Sequence, residues 1–260
     1  MHTKPPKHWK CFFCGRSDSQ PSKEDVLAKW IVREYDAATP TITVTDGETG
    51  KVRKARGNAG ILTYAPCHRC NTGWMSRLEK EVKPIIIELM KGNNLLLTSS
   101  MKLVLSKWLL KTCSLYDYTK NGRSFFNSAE RKHLFEQGLI PRNAHISAAR
   151  YVGDSRQHSN RATGMRGQIH RTTFRSPDKK TAVEGCWITI VIEQAAFQLF
   201  ALREDQLQEN VEFTVNLSYD WSHHTIQIYP SIQNSQWPPE FALNDSELKT
   251  FMERWGDTVH

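Results

Sequence analysis

A chain of 260 residues, of which 39% are hydrophobic and 24% charged, has the composition of a globular protein with a substantial hydrophobic core. It contains no uninterrupted apolar run of roughly 18 residues, so the sequence excludes a membrane-spanning helix. The net charge is +8, but residues 201–260 hold ten acidic and three basic side chains, which leaves +15 on the first 200 residues. This basic body predicts a polyanionic partner, most simply nucleic acid; a basic surface kept only for solubility is the alternative.

The predicted elements begin with a short helix over residues 22–32. Ser22 is its expected N-cap, and Glu24 and Asp25 fall in its first turn. The next expected elements are a β-hairpin with strands at 41–45 and 51–56 around a turn at Asp46-Gly47, and a helix over 72–81 that Pro84 ends or kinks.

Further along the chain the pattern changes from helices to strands. Helices are predicted over 101–118 and 128–137, the second capped by Ser128 and closed by Gly138. The predicted strands and the last helix cover residues 146–152, 168–174, 186–192, 196–202, 211–217, 225–229 and 246–255. Together the elements predict an α+β protein with an N-terminal module over 1–95 and a second domain, with a mostly antiparallel sheet, over 96–260.

Two Cys-x-x-Cys pairs contain four of the six cysteines: Cys11, Cys14, Cys67 and Cys70. Because each pair places two thiolates on one short turn, the two pairs together predict a closed four-sulfur site for structural Zn²⁺. Two disulfides are the alternative, and they would need an oxidising compartment. The chain opens with MHTKPPKHWK, which lacks the apolar segment of a secretory signal, so we expect reduced thiols and a cytoplasmic protein. Cys113 and Cys186 are expected in the core.

The order of these features resembles the HNH nucleases, and among them the zinc-bound subgroup with the ββα-metal fold. The resemblance covers about residues 11–82 and depends on the stretches 22–30 and 67–79, the latter beginning Cys-x-x-Cys-Asn. It implies a zinc-stapled ββα-metal module at the N-terminus and hydrolysis of DNA phosphodiester bonds with a divalent ion. Position by position, Glu24 falls at the family's acidic metal ligand, Asp25 at its histidine and Asn71 at its asparagine. Glu79 stands near the helix end, where the family often has a final histidine.

The chain departs from the family at the general base, because no histidine lies between His8 and His68. An imidazole has its pKa near the working pH, whereas an Asp carboxyl has a pKa of about 4. Glu24 and Asp25, with Glu79, are predicted instead to hold Mg²⁺ or Mn²⁺ through oxygen atoms, so that the ion lowers the pKa of its own water. In the catalytically silent alternative, the acidic pair only occupies a helix N-terminus and Asn71 only caps the following helix.

Basic side chains supply the predicted contacts to a nucleic-acid backbone. They lie on the hairpin, in the second cysteine pair and in the Arg-rich stretch 150–180: Lys51, Arg53, Lys54, Arg56, Arg69, Arg156, Arg161, Arg166 and Arg171. The stretch 150–180 has a second interpretation, a solvated loop that binds nothing. The sequence thus predicts an HNH-like endonuclease acting on DNA, with a homodimer as one candidate assembly and a role in defence by analogy alone. The alternatives are a catalytically silent zinc module that binds nucleic acid or a protein partner, and a regulator or inhibitor.

Overall fold

The computed structural model describes residues 9–34, 41–46, 52–56, 62–153, 164–175, 182–203, 206 and 220–255. Within these ranges the chain is an α+β protein in which helices pack on a mostly antiparallel sheet, so the predicted fold class is confirmed. None of the helices in the described ranges combines the length and the apolar composition needed to cross a membrane.

The N-terminal elements differ from the predicted ones at the acidic pair. In chain order they are β1 Glu24–Asp25, α1 Lys29–Arg33, β2 Thr41–Asp46, β3 Val52–Arg56, β4 Leu62–Thr63, α2 His68–Cys70, a π-helical segment Asn71–Met75 and α3 Ser76–Lys91. The predicted helix over 22–32 is therefore wrong at its start. Glu24 and Asp25 form a strand because their backbone pairs with Thr63 and Leu62 of β4, a tertiary contact that overrides the local helix signal.

Pro84 was predicted to end or kink its helix, and the first of these is wrong, because α3 continues past it to Lys91. The residues after the proline include Ile86 and Leu89, both fully buried, so burial of this apolar face offsets the backbone hydrogen bond that proline removes. The helix ends at Gly92, whose left-handed backbone (φ 68°) is the usual glycine C-cap.

Apart from the short strands β5 and β11, which the sequence did not predict, the remaining helices and strands overlap the predicted ones. They are β5 Leu95–Leu97, α4 Ser99–Asn121, α5 Ser128–Gln137, β6 Ala144–Arg150, β7 Gly164–Arg175, β8 Ala182–Ile192, β9 Ala195–Leu202, β10 Thr225–Tyr229, β11 Ser235–Trp237 and α6 Asp245–Glu253. The N-cap of α5 is Asn127 rather than Ser128, and its side chain forms a capping box with Glu130. The predicted strand at 211–217 lies outside the described residues.

Seven strands form the main sheet in the order β10-β6-β9-β8-β7-β2-β3. Every neighbouring pair is antiparallel except β2 and β7, which run parallel. The hairpin predicted from the sequence, β2 with β3, is present, but it extends the edge of this sheet instead of belonging to a separate N-terminal module. The chain between the two cysteine pairs therefore reaches the sheet and returns.

Both faces of the sheet are covered. Because side chains alternate along a strand, Ile188 and Ile190 pack in the same core cluster as Trp108 of α4, whereas Val191 packs with Phe251 of α6 on the opposite face. The larger cluster also contains cysteine-region and α3 side chains, so one core continues across the predicted boundary between residues 95 and 96. It includes Cys113 and Cys186, both buried as the sequence predicted.

A buried ion pair joins α4 to the sheet and changes the interpretation of Arg171. This residue was expected in a phosphate-binding loop, but it lies on β7, and its Nη2 is 2.7 Å from both carboxylate oxygens of Asp117. Asp117 is completely buried and also accepts hydrogen bonds from the Asn121 side chain and the Phe125 backbone N–H. Arg171 therefore has a structural role rather than a phosphate-binding one, because binding a phosphate would leave the buried Asp117 carboxylate without its positive partner.

Asp117→Asn is expected to lower the free energy of unfolding by about 3 kcal/mol, because it leaves the Arg171 guanidinium half-buried without a counter-charge. Urea denaturation followed by circular dichroism measures the change. Lys132→Gln, which removes an exposed ion pair with Glu136 on α5, is the control and should have little effect. A variant at position 117 as stable as the wild type would contradict the structural role of this pair.

Candidate metal centre and adjoining carboxylates

The four cysteine sulfurs converge in the geometry of a tetrahedral metal site. All four lie within 4.8 Å of one another. The Sγ atoms of Cys11 and Cys70 are 3.7 Å apart, and those of Cys14 and Cys67 are 3.8 Å apart. A Zn–S bond of about 2.3 Å gives a tetrahedral edge of about 3.8 Å, whereas a disulfide needs about 2.05 Å. The spacing therefore fits four thiolates around one Zn²⁺, and all six cysteines are free.

Backbone N–H groups donate hydrogen bonds to two of the four sulfurs. The N–H of Cys67 donates to the Sγ of Cys11, and the N–H of Cys70 donates to the Sγ of Cys67, each at 3.3 Å. The side-chain contact with Cys70, opposed by burial, lowers the pKa of Cys11 to about 4. Further hydrogen bonds between the two segments, Phe12 N–H to the Ala65 carbonyl among them, hold the two pairs together. The donor set fits a structural zinc ion on both charge and spacing.

Asn71 joins this centre to the acidic pair. Its side-chain Nδ2 donates to the Ser22 hydroxyl at 2.9 Å and to the Lys23 carbonyl at 3.2 Å, which lie immediately before Glu24. Asn71 also hydrogen-bonds the Glu24 carboxylate, which slightly opposes the rise in the Glu24 pKa that burial causes. Asn71 therefore does not cap the following helix, and the acidic pair does not occupy a helix N-terminus. The helix-capping roles that the silent alternative gave these three residues are therefore wrong.

Glu24 and Asp25 are both mostly buried, with 14% of each side chain exposed. The nearest cations are Lys29, whose Nζ is 3.7 Å from an oxygen of Asp25, and Lys111, whose Nζ is 4.0 Å from an oxygen of Glu24. Burial raises the pKa of Glu24 to about 7, against the opposing effect of Lys111 and with additional repulsion from Glu79 and Asp25. Because Glu24 is ionised above about pH 7, its buried negative charge makes the folded protein less stable there than at low pH.

Glu79 has a different environment from the one that the sequence predicted. Its Oε1 accepts hydrogen bonds from Lys111 Nζ at 2.5 Å and from Trp108 Nε1 at 2.8 Å, and its Oε2 accepts from Trp30 Nε1 at 2.9 Å. Lys111 is fully buried. A metal ion bound to Glu79 would have to displace these donors. Among the residues that the structure describes, the cysteines are the group whose ligand atoms converge, and the three carboxylates do not form a second such group.

Lys111 and Trp108 are the residues near this site that sequence reasoning missed. Both lie on α4, distant in sequence from the cysteines, and α4 packs against α3, which carries Glu79. The one available signal was a lysine within the apolar stretch Leu109-Leu110-Lys111, because a charge on a core-facing position of a helix requires a buried partner.

The predicted nucleic-acid contacts that fall within the described residues lie on separate elements. Arg69 is exposed beside the second cysteine pair. Arg53, Lys54 and Arg56 lie on β3, the edge strand of the main sheet, and Arg166 lies on β7. The other predicted contacts fall outside the described residues: Lys51, Arg156 and Arg161.

Comparisons of the chain with protein-family models, with curated proteins and with solved structures give no match. The chemistry of this centre must therefore be inferred from its own residues. Those residues provide a four-sulfur metal site, two adjacent carboxylates on a strand, and an asparagine that links the two.

The purified protein is expected to contain one zinc ion per chain, and the double variant Cys67→Ser/Cys70→Ser is expected to lose it, because two of the four thiolates are then absent. Elemental analysis measures the zinc, and thermal unfolding should show a lower midpoint for the variant. Cys113→Ala, which alters a buried cysteine away from the cluster, should keep its zinc. A double variant with wild-type zinc content would contradict the assignment of these ligands.

Glu24→Gln is expected to be more stable than the wild type at pH 8, by up to about 3 kcal/mol, because the folded state raises the pKa of Glu24 from 4.5 to about 7. The folded protein retains this proton while the unfolded chain releases it, so the wild type loses stability as the pH rises from about 4.5 to 7.

Chemical denaturation at pH 5 and pH 8, without added Mg²⁺ or Mn²⁺, measures this difference between the two proteins. The advantage of Glu24→Gln should shrink toward pH 5. The exposed Glu136→Gln is the matched control and should change stability little at either pH. Equal stability of Glu24→Gln and the wild type at pH 8 would show that Glu24 is not raised in pKa.

Proposed function

We propose that this chain is an HNH-like endonuclease that hydrolyses DNA phosphodiester bonds with one divalent ion beside the zinc centre. The observation that carries the proposal is the pair of hydrogen bonds from Asn71, next to the last cysteine, to the backbone and side chain immediately before Glu24 and Asp25. This contact brings the acidic pair, the asparagine and the sulfur cluster into the relation that the sequence resemblance implies.

The arrangement of the elements also supports the proposal. Strand β1 pairs with β4, the second cysteine pair follows β4, and α3 begins a few residues later. This strand–strand–helix unit is the part that corresponds to a ββα-metal module. The hairpin β2–β3, which the sequence assigned to the module, is an insertion between β1 and β4 that joins the main sheet.

Within this unit each residue has a role that its contacts suggest. Glu24 and Asp25 are the residues to hold Mg²⁺ or Mn²⁺ through carboxylate oxygens, because their lysine partners lie no closer than 3.7 Å and each carboxylate has more lone pairs than these contacts use. The ion, when bound, lowers the pKa of a coordinated water and stabilises charge on the phosphate. Asn71 fixes the strand on which both carboxylates lie. Asp25 is the nearest carboxylate available to orient that water in place of the family's histidine.

A second candidate function is binding without catalysis, either to nucleic acid or to a protein partner that the chain would regulate or inhibit. Two observations favour it: the carboxylates do not converge as metal ligands do, and basic residues occupy the edge strand β3. Affinity for duplex DNA that falls steeply with salt would indicate phosphate contacts and separate nucleic-acid binding from a protein partner.

Wild-type protein is expected to nick supercoiled plasmid in the presence of Mg²⁺ or Mn²⁺, and Asp25→Asn is expected to reduce the rate by about 100-fold or more, because it removes a ligand and the group that orients water. Asn71→Ala should reduce the rate less, by about tenfold, since it loosens the strand without removing a ligand. Agarose gel assays of initial rates measure both effects.

Asp18→Asn is the matched control, because Asp18 is an exposed acid near the first cysteine pair that binds only Arg16. It should cleave at the wild-type rate. Cleavage that survives Asp25→Asn would exclude the assigned site. A wild type that cleaves with neither ion would exclude the endonuclease and leave the binding function.

A further inference from the structure

We infer that Lys111 is a positioning residue for this site: anchored on Glu79, its buried ammonium fixes the carboxylate of Glu24 and leaves Glu24 and Asp25 as a site for a single divalent ion. The part of this inference that concerns the ion and catalysis depends on the proposed function. The part that concerns Glu24 does not, because it is a statement about two side chains of this chain.

The first step is the anchor of Lys111. Its Nζ is 2.5 Å from Glu79 Oε1, and none of its side chain is exposed. The indole N–H groups of Trp108 and Trp30 also donate to the Glu79 carboxylate. A carboxylate that accepts three hydrogen bonds is held in one orientation, and the ammonium of a lysine bound to it at this distance is held in one position. The position of the ammonium is thus set by α3 and α4 together.

The second step is the reach of Lys111 toward the acidic pair. Its Nζ is 4.0 Å from Glu24 Oε1, which is close enough for strong electrostatic attraction in a buried setting but too far for a direct hydrogen bond. Lys111 therefore attracts one oxygen of Glu24 inward without using its lone pairs. The carboxylate, which also accepts a hydrogen bond from Asn71, keeps lone pairs for a further partner while Lys111 holds its orientation.

The third step is the exclusion of an ion between Glu24 and Glu79. The ammonium of Lys111 already lies near both carboxylates and compensates the charge of Glu79. A divalent ion in the same place would meet a buried positive charge. The three-carboxylate cage predicted from the sequence is thereby reduced to two candidate ligands, Glu24 and Asp25.

The consequence is that the N-terminal strand–strand–helix unit is not self-sufficient. Lys111 and Trp108 belong to α4, outside the predicted module over 1–95, and they complete the environment of a carboxylate inside it. The buried ammonium group beside Glu24 therefore comes from α4, which lies outside the predicted module.

The test of the positioning itself is a double-mutant cycle in the Glu79→Gln background, which avoids leaving Glu79 buried without Lys111. Stability at pH 8 is measured for Glu79→Gln alone and with Glu24→Gln, with Lys111→Met and with both. Glu24→Gln should stabilise the protein more when Lys111 is absent, with a coupling of about fivefold or more in the unfolding equilibrium constant. Additive effects would overturn the inference, whether or not the protein is a nuclease.

The test of the ion site compares Glu79→Gln/Lys111→Met with the wild type. Electron paramagnetic resonance titration with Mn²⁺ should give one bound ion per chain in both, because residue 79 is not a ligand. At saturating Mn²⁺ the kcat of the variant for plasmid nicking should fall about tenfold with KM for DNA unchanged, since Glu24 has lost its internal cation. A loss of Mn²⁺ binding would show that Glu79 is a ligand and would overturn the one-ion site.

Two controls separate positioning from structure. Lys107→Met removes a lysine one turn earlier on α4 that has no role in the site, and it should keep the wild-type kcat. Lys111→Arg retains the cation and should retain most of the activity. A folded, zinc-loaded Glu79→Gln/Lys111→Met variant with wild-type kcat would reduce Lys111 to a structural role. If the stability cycle shows coupling but the wild type does not nick DNA, the proposed nuclease function is wrong while the positioning of Glu24 by Lys111 still holds.

Discussion

The convergence of four cysteine sulfurs is the constraint on which the rest of the N-terminal half depends. It joins residue 11 to residue 70 and closes an excursion of residues 15–66. Closing a loop of this length costs the chain conformational entropy on the order of 4 kcal/mol, which metal binding must offset. Once the loop is closed, the short contact between β1 and β4 is no longer a pairing of distant segments, and two residues on each strand suffice to form it.

The acidic pair is a locally unfavourable feature that this closure makes tolerable. Glu24 and Asp25 are adjacent and mostly buried, and burial, followed by repulsion from Glu79 and Asp25, raises the pKa of the Glu24 carboxyl. The ammonium of Lys111 and the hydrogen bond from Asn71 both oppose that rise, so these two partners stabilise the ionised carboxylate.

Sequence reasoning succeeded where the information is local. The spacing within each cysteine pair, the end of α5 at Gly138 and the neighbouring strands β8 and β9 are all set by residues close in sequence, and the structure confirms them. Sequence reasoning failed where the structure of a segment is set by contacts with residues far away in the sequence. The strand at Glu24 depends on β4, and the helix beyond Pro84 depends on burial against the core. The ion pair of Lys111 with Glu79 joins residues that are 32 positions apart, and the sequence around either residue does not identify the other as its partner.

The insertion of the hairpin β2–β3 into the main sheet gives the site a second attachment. The excursion leaves the acidic strand β1, pairs in parallel with β7 through β2, and returns through β4 to the second cysteine pair. The acidic strand is thus held on one side by the sulfur cluster and Asn71, and the chain that leaves it is held by the sheet. Since β7 is also tied to α4 through Arg171 and Asp117, and α4 carries Lys111, the sheet and the internal cation of the site belong to one connected structure.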